Sequence, residues 1–247
     1  MIVLSMLVKN EANRYLNECL DSIVPFVDKV VVIDNGSTDN TMGIIHAKCL
    51  DKVCDLSSST EFYEDEYDLR TLQFETTIKT IKKFNSNDEP TIIIVLDADE
   101  VLSPETQKIF PSILQEMLIN KENGNDSVMF GIMYHFWLSK THFRTDKLWS
   151  PCEKQFMFTY NNSYEYKFMK KKFACGVLPT NIYDDSPYIK VVNQKLKLMH
   201  FGYSDYNDTL KKHKIYNEYD PDGKYHNKKH LLSIDSKRIA LEKFTDQ

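Results

Sequence analysis

Asp97 and Asp99 are two residues apart in "TIIIVLDADEVL" (91–102), with only Ala98 between them, and Glu100 follows directly. In an extended segment two residues apart share a side, so both aspartates project together. Carboxylate oxygens are hard donors, and two of them after an apolar strand suit Mg2+ or Mn2+ that also binds a substrate's phosphates. Three neighbouring carboxylates also resist ionising together. The crowding therefore predicts a positive partner or ample water at this strand end.

Two other strand ends carry polar residues of the same kind. "DNGSTD" (34–39) offers Asp34 as an acceptor for a base or ribose, with loop amides beside it; it also reads as a plain turn and helix cap. "KNEANR" (9–14) offers Asn10 and Glu11 as contacts, or simply a polar loop.

The elements that position them follow from periodicity. "IVLSMLV" (2–8), "KVVVI" (29–33), "DKVCDL" (51–56) and "TIIIVL" (91–96) read as short, buried strands. Helices are expected between them: from Tyr15 to Pro25, from about Asn40, and from Arg70 to Phe84 with Leu72, Phe74, Ile78 and Ile81 inward. Ser103-Pro104 then caps a helix whose stripe is Ile109, Ile113, Leu114 and Met117. Strands alternating with helices predict an α/β chain with a mostly parallel sheet flanked by helices. Ligands of such sheets bind beyond the carboxyl ends of the strands, where the three polar segments converge. After the turn "KENGND" (121–126), strand character dominates up to His200. Residues 205–247 read as a charged, helical extension broken at "DPDG", with a last amphipathic piece from Leu231 to Phe244. The expected organisation is one domain over 1–204 (a first half, 1–120, and a mixed-strand second half, 121–204), followed by that extension.

Composition excludes several classes. Of 247 residues 42% are hydrophobic, enough for a core, and the net charge of -5 gives no support for a nucleic-acid partner. Five cysteines (Cys19, Cys49, Cys54, Cys152, Cys175) form no C-x-x-C pair and predict reduced thiols in a reducing compartment. The N-terminus reads as a strand, without the basic region of a signal peptide. No apolar run reaches the length of a transmembrane helix. The expected location is cytoplasmic; peripheral contact with a membrane is compatible with this.

"SMLVKNEANRYLNECLDSIVPFVDKVVVIDNGSTDNT" followed by "VLDADE" resembles the family 2 glycosyltransferases of the GT-A, Rossmann-like fold. The likeness covers most of residues 1–102 and continues more loosely through 134–149 and 198–216. It implies a metal-dependent, inverting transferase that moves a sugar from a nucleotide-diphosphate donor, with a UDP-sugar favoured, to a hydroxyl on a glycan or other biomolecule. It further implies that Asn10, Glu11, Asp34, Arg70 and Asp97 hold the donor. Asp97, Asp99 and His200 would hold Mn2+ or Mg2+, and Lys211 and Lys214 would meet the diphosphate. Asp146 and Glu153 are the candidate catalytic bases, and Trp137 and Trp149 are candidates to stack on a sugar or to fill the core.

Two rival readings remain at this stage. "VLDADEV" also fits the D-x-D-x-[TV] pattern of haloacid-dehalogenase-like phosphatases, with Asp97 as nucleophile, though that motif usually sits on an early strand. A non-catalytic nucleotide- or carbohydrate-binding domain is the other.

Overall fold

A computed structural model describes residues 1–57, 66–85, 87–146, 149–168, 177–182, 187–222 and 239–246. Cys175 and the 231–238 part of the last amphipathic piece lie outside the described residues. The first half runs β1 (Ile2–Val8), α1 (Leu16–Ile23), β2 (Lys29–Asp34), α2 (Thr41–Cys49), β3 (Val53–Ser57), α3 (Glu66–Phe84) and β4 (Ile92–Val95). The second runs β5 (Glu100–Leu102), α4 (Pro104–Glu122), β6 (Ser127–Trp137), β7 (His142–Arg144), β8 (Cys152–Thr159), β9 (Ile189–Tyr203), α5 (Tyr206–Tyr219) and β10 (Leu241–Lys243).

The sheet has the order β10-β7-β6-β8-β4-β1-β2-β3, and β9 pairs with both β5 and β6. β3, β2, β1 and β4 are mutually parallel, and β8 joins them antiparallel to β4. Parallel strands need helical crossovers, so both faces become covered and the strands turn apolar throughout. Alternation along β1 sorts its side chains between the layers. Leu4, Met6 and Val8 join the core with Leu16, Leu20, Ile45 and Phe110 from α1, α2 and α4. Val3 faces the other way, into a second core with Ile81 of α3.

The buried face of α3 differs from the apolar stripe expected of it. Ile81 is buried as foreseen, but Leu72, Phe74 and Ile78 are only half-buried, while Arg70, Gln73 and Thr77 are buried. The reason is Ser5, which β1 turns toward this helix. Ser5 Oγ lies 2.8 Å from Thr77 Oγ1 and accepts from Gln73 Nε2 at 3.1 Å. Arg70 in turn donates to Gln73 Oε1 at 3.1 Å. Buried polar groups persist where they are hydrogen-bonded, and this row is.

The chain end also departs from the helical expectation. Leu241–Lys243 forms β10, antiparallel to β7. Phe244 then packs against Tyr134, Phe136 and Phe143, and Asp246 accepts from Glu105 N at 2.7 Å at the start of α4. An apolar ring and a helix N-terminus, both needing partners, hold the segment in the sheet layer. No described helix is long and apolar enough to cross a membrane. Cys19, Cys49, Cys54 and Cys152 are free thiols.

Candidate active site

The carboxyl ends of β1, β2 and β4 lie side by side, because these strands pair in register from Val3–Lys29 to Val8–Asp34 and from Ile2–Ile92 to Ser5–Val95. The loops after β1 and β2 are stitched together by their own side chains. Ser37 donates through Oγ to Asp34 at 2.6 Å, and Asn10 N donates to Ser37 Oγ at 2.9 Å. Asn10 Oδ1 accepts from Thr38 N at 2.8 Å, and Ala12 N donates to Asp39 at 3.1 Å. Asn10 has a φ of 55°, a left-handed conformation that Asn tolerates better than most residues.

Beyond β4 the acids find their partners far along the chain. Arg70 donates to Asp97 Oδ1 at 3.0 Å. Asp99 is 3.3 Å from Lys212 Nζ, 3.6 Å from His200 Nε2 and 3.8 Å from Arg14. Arg14 also holds Glu11 at 2.9 Å and Asp208 at 3.1 Å. Glu100 pairs with Lys154 and accepts from Asp97 N at 3.1 Å. Glu100 opens β5, which pairs antiparallel with β9 and puts Glu100 opposite His200. It does not begin a helix.

Each acid of the strand end therefore already has a cationic neighbour, so the crowding that suggested a metal does not by itself demand one. Burial pushes Asp97 up, but Arg70 and Lys154 outweigh it and hold the carboxyl below its usual range. The same contest at Asp99, with Lys212, His200 and Arg14 opposing burial, leaves it well below that range. Burial lowers His200 to about 4, so the imidazole is neutral near pH 7. Burial also raises Glu11 to about 7 against the pull of Arg14.

Gly202 leaves the space in which these groups meet. A Cβ there would lie 2.6 Å from both Asp99 Oδ2 and Lys212 Nζ, and 2.8 Å from His200 Nε2. Among the described residues no group of three or more His, Cys, Asp or Glu side chains is disposed to hold a metal ion. Asp99 and His200 nonetheless fit as a two-residue holder. Their 3.6 Å separation is too long for a hydrogen bond, and short enough for both atoms to reach one cation at about 2.1 Å. Ions of this kind commonly take one or two protein ligands, with water and phosphate completing the shell.

The other expected site residues fall elsewhere. Lys211 is exposed and lies 3.6 Å from Asp208, and Lys214 is exposed too. The helix turns Lys212 inward instead. Both oxygens of Asp146 accept from Arg144, whose guanidinium stacks 4.4 Å from Trp137 and 4.9 Å from Trp149. That hydrogen bonding lowers the Asp146 pKa and makes it a poor proton acceptor. Both tryptophans are buried around Arg144, so they fill the core. Glu153 pairs with Lys190 at 2.9 Å. Strand alternation sends it to the face opposite Lys154, away from the acid cluster.

Arg14, Lys154, Lys212 and Gly202 are the residues of this cluster that sequence reading missed. Only Arg14 left a local trace, as the i+3 partner of Glu11.

No family model matches the sequence, and no curated protein does. Among solved structures the chain is similar to TarS 1–349 of S. aureus in complex with UDP, at 19% identity and a TM-score of 0.38, over 54% of this chain and 36% of that one. It is similar to glucosyl-3-phosphoglycerate synthase from Mycobacterium tuberculosis with Mn2+, UDP and glucosyl-3-phosphoglycerate, at 18% identity and a TM-score of 0.33, over 54% of this chain and 44% of that one. HddC from Yersinia pseudotuberculosis matches at 10% identity and a TM-score of 0.40, over 85% of this chain and 96% of that one. The chain thus spans less than half the length of the TarS and synthase chains. By its own sheet order, with helices on both faces of a parallel half and an antiparallel half beside it, the chain has a Rossmann-like α/β architecture.

Proposed function

We propose that the chain transfers a glycosyl group from a nucleoside-diphosphate sugar, a UDP-sugar foremost, to a hydroxyl acceptor with inversion. The observation that carries this reading is the Gly202 cradle, where Asp99, His200 and Lys212 converge at the carboxyl edge of the parallel strands. Asp34 and the Asn10–Glu11 segment, at the ends of β2 and β1, bind the nucleoside. Arg70 fixes Asp97 in place through a partly buried ion pair. Lys212 and Arg14 offer positive charge to the diphosphate; this replaces the roles first expected of Lys211 and Lys214. Asp99 and His200 hold the divalent cation, Mn2+ or Mg2+, which when bound stabilises negative charge on the departing diphosphate. The buried surroundings strengthen each of these electrostatic contacts relative to water.

Release of UDP from UDP-sugars, followed with and without Mn2+, tests the reading. Metal-dependent release that disappears in Asp99→Asn supports it. Release of inorganic phosphate from simple phosphoesters, with no use of nucleotide sugars, would replace it with the phosphatase reading.

A further inference from the structure

His200 does not stand alone behind the cradle. β6 and β9 are parallel neighbours, and their register sets His135 beside His200. The two Nδ1 atoms are 3.0 Å apart and the rings are nearly perpendicular, at 89°. Trp149 packs nearly perpendicular to His135, with 5.2 Å between centroids. The Nε2 of His135 lies 3.9 Å from Cys152 Sγ.

Two imidazoles that meet through their Nδ1 atoms at this distance share one proton there: one ring donates and the other accepts. If His135 donated, the proton of His200 would sit on Nε2. That N–H would point into a space it shares with the Lys212 ammonium, and it would be 3.6 Å from Asp99 Oδ1, beyond hydrogen-bonding range. If His200 donates, its Nδ1 proton is used in a hydrogen bond of good length. Its Nε2 then presents a lone pair to the cations of the cradle, and the proton of His135 lies toward the Cys152 sulfur.

We infer that His135 is a positioning residue, accepting the Nδ1 proton of His200 and so aiming the Nε2 lone pair of His200 at the Asp99 cradle. This rests on the proposed reading of the cradle as a cation site. Histidines that bind metals are commonly oriented through the hydrogen bond made by their other ring nitrogen, and losing that partner costs about 10- to 100-fold in metal affinity. Here the partner is a second imidazole on the neighbouring strand, which no sequence motif announces.

The experiment compares wild type, His135→Asn and His135→Leu. Asn carries a carbonyl oxygen near the position of Nδ1 and keeps an acceptor for His200; Leu keeps bulk and removes the acceptor. Long-range 1H–15N spectra of the metal-free wild-type protein, assigned with His200→Gln, report the tautomer. Electron paramagnetic resonance of free Mn2+ reports affinity, and circular dichroism confirms that each variant is folded. The inference predicts His200 protonated at Nδ1, an Mn2+ affinity about 10- to 100-fold weaker in His135→Leu, and near wild-type affinity in His135→Asn. A proton on Nε2 of His200, or unchanged affinity in a folded His135→Leu, overturns it. If wild type binds no Mn2+, the cation reading fails, and the tautomer alone still decides the role of His135.

Discussion

The ends of β2 and β4 are both acidic, yet their charges are satisfied in opposite ways. Asp34 and Asp39 accept hydrogen bonds from Ser37, Thr41 and Ala12, in their own loop or the adjoining one after β1. Asp99 and Glu100 rely instead on Lys212 and Lys154, which come 113 and 54 residues later. The first arrangement shapes backbone and can form before the rest of the fold is complete. The second exists only when β8, β9 and α5 are in place. A locally bonded carboxylate holds a loop in shape, whereas a carboxylate paired with lysine ammonium groups can exchange them for a ligand's charges. On the proposed reading, the locally held β2 end binds the nucleoside and the β4 end meets the charge of the departing diphosphate.

That contrast can be broken by substitution. The largest effect is expected at Asp99, where Asn keeps the shape and removes the charge: turnover of a nucleotide sugar should fall on the order of 100- to 1000-fold, measured by steady-state UDP release. Arg70→Met should leave Asp97 beside a missing partner. The full loss of a buried pair is about 3–5 kcal/mol, and the 35% exposure of the Asp97 side chain places this case at the low end, read from urea unfolding.

A pH series sharpens the comparison. The folded pKa of Glu11, about 7, exceeds its ordinary value of 4.5, so the folded state binds its proton more tightly. Its contribution to stability is therefore full below about pH 4.5 and lost as pH rises through about 7. Glu11→Gln should gain in melting temperature relative to wild type across that window, and the difference should be flat above it. Ser37→Ala, at the locally bonded end, should cost about 1 kcal/mol in stability by removing hydrogen bonds to Asp34 and Asn10. Glu153→Gln, on the opposite sheet face, should change stability by no more than about 0.5 kcal/mol and leave kcat/KM as it was.

The sequence made the parallel strands legible because each is a short apolar run closed by polar residues, and the placement of Asp34, Asp97 and Asp99 at one edge followed from that topology. Periodicity is local information, so it did not reveal which cations would reach the acids. Lys211, Lys212 and Lys214 look alike in sequence, and only the docking of α5 on β9 selects Lys212. The polar inward face of α3 was missed for a related reason: burying Gln73 and Thr77 depends on Ser5, which is 68 and 72 residues away. Likewise β10 is a strand only because β7 offers an edge to pair with.

A thermal-shift titration of UDP-sugars with Mn2+, run on wild type and Asp99→Asn side by side, tests the central claim most directly. A ligand at 100 times its Kd stabilises the native state by about 2.7 kcal/mol. The account predicts such a shift for wild type with at least one nucleotide sugar, dependent on the cation and absent in Asp99→Asn. No shift with any nucleotide sugar, or the same shift in both proteins, would contradict it.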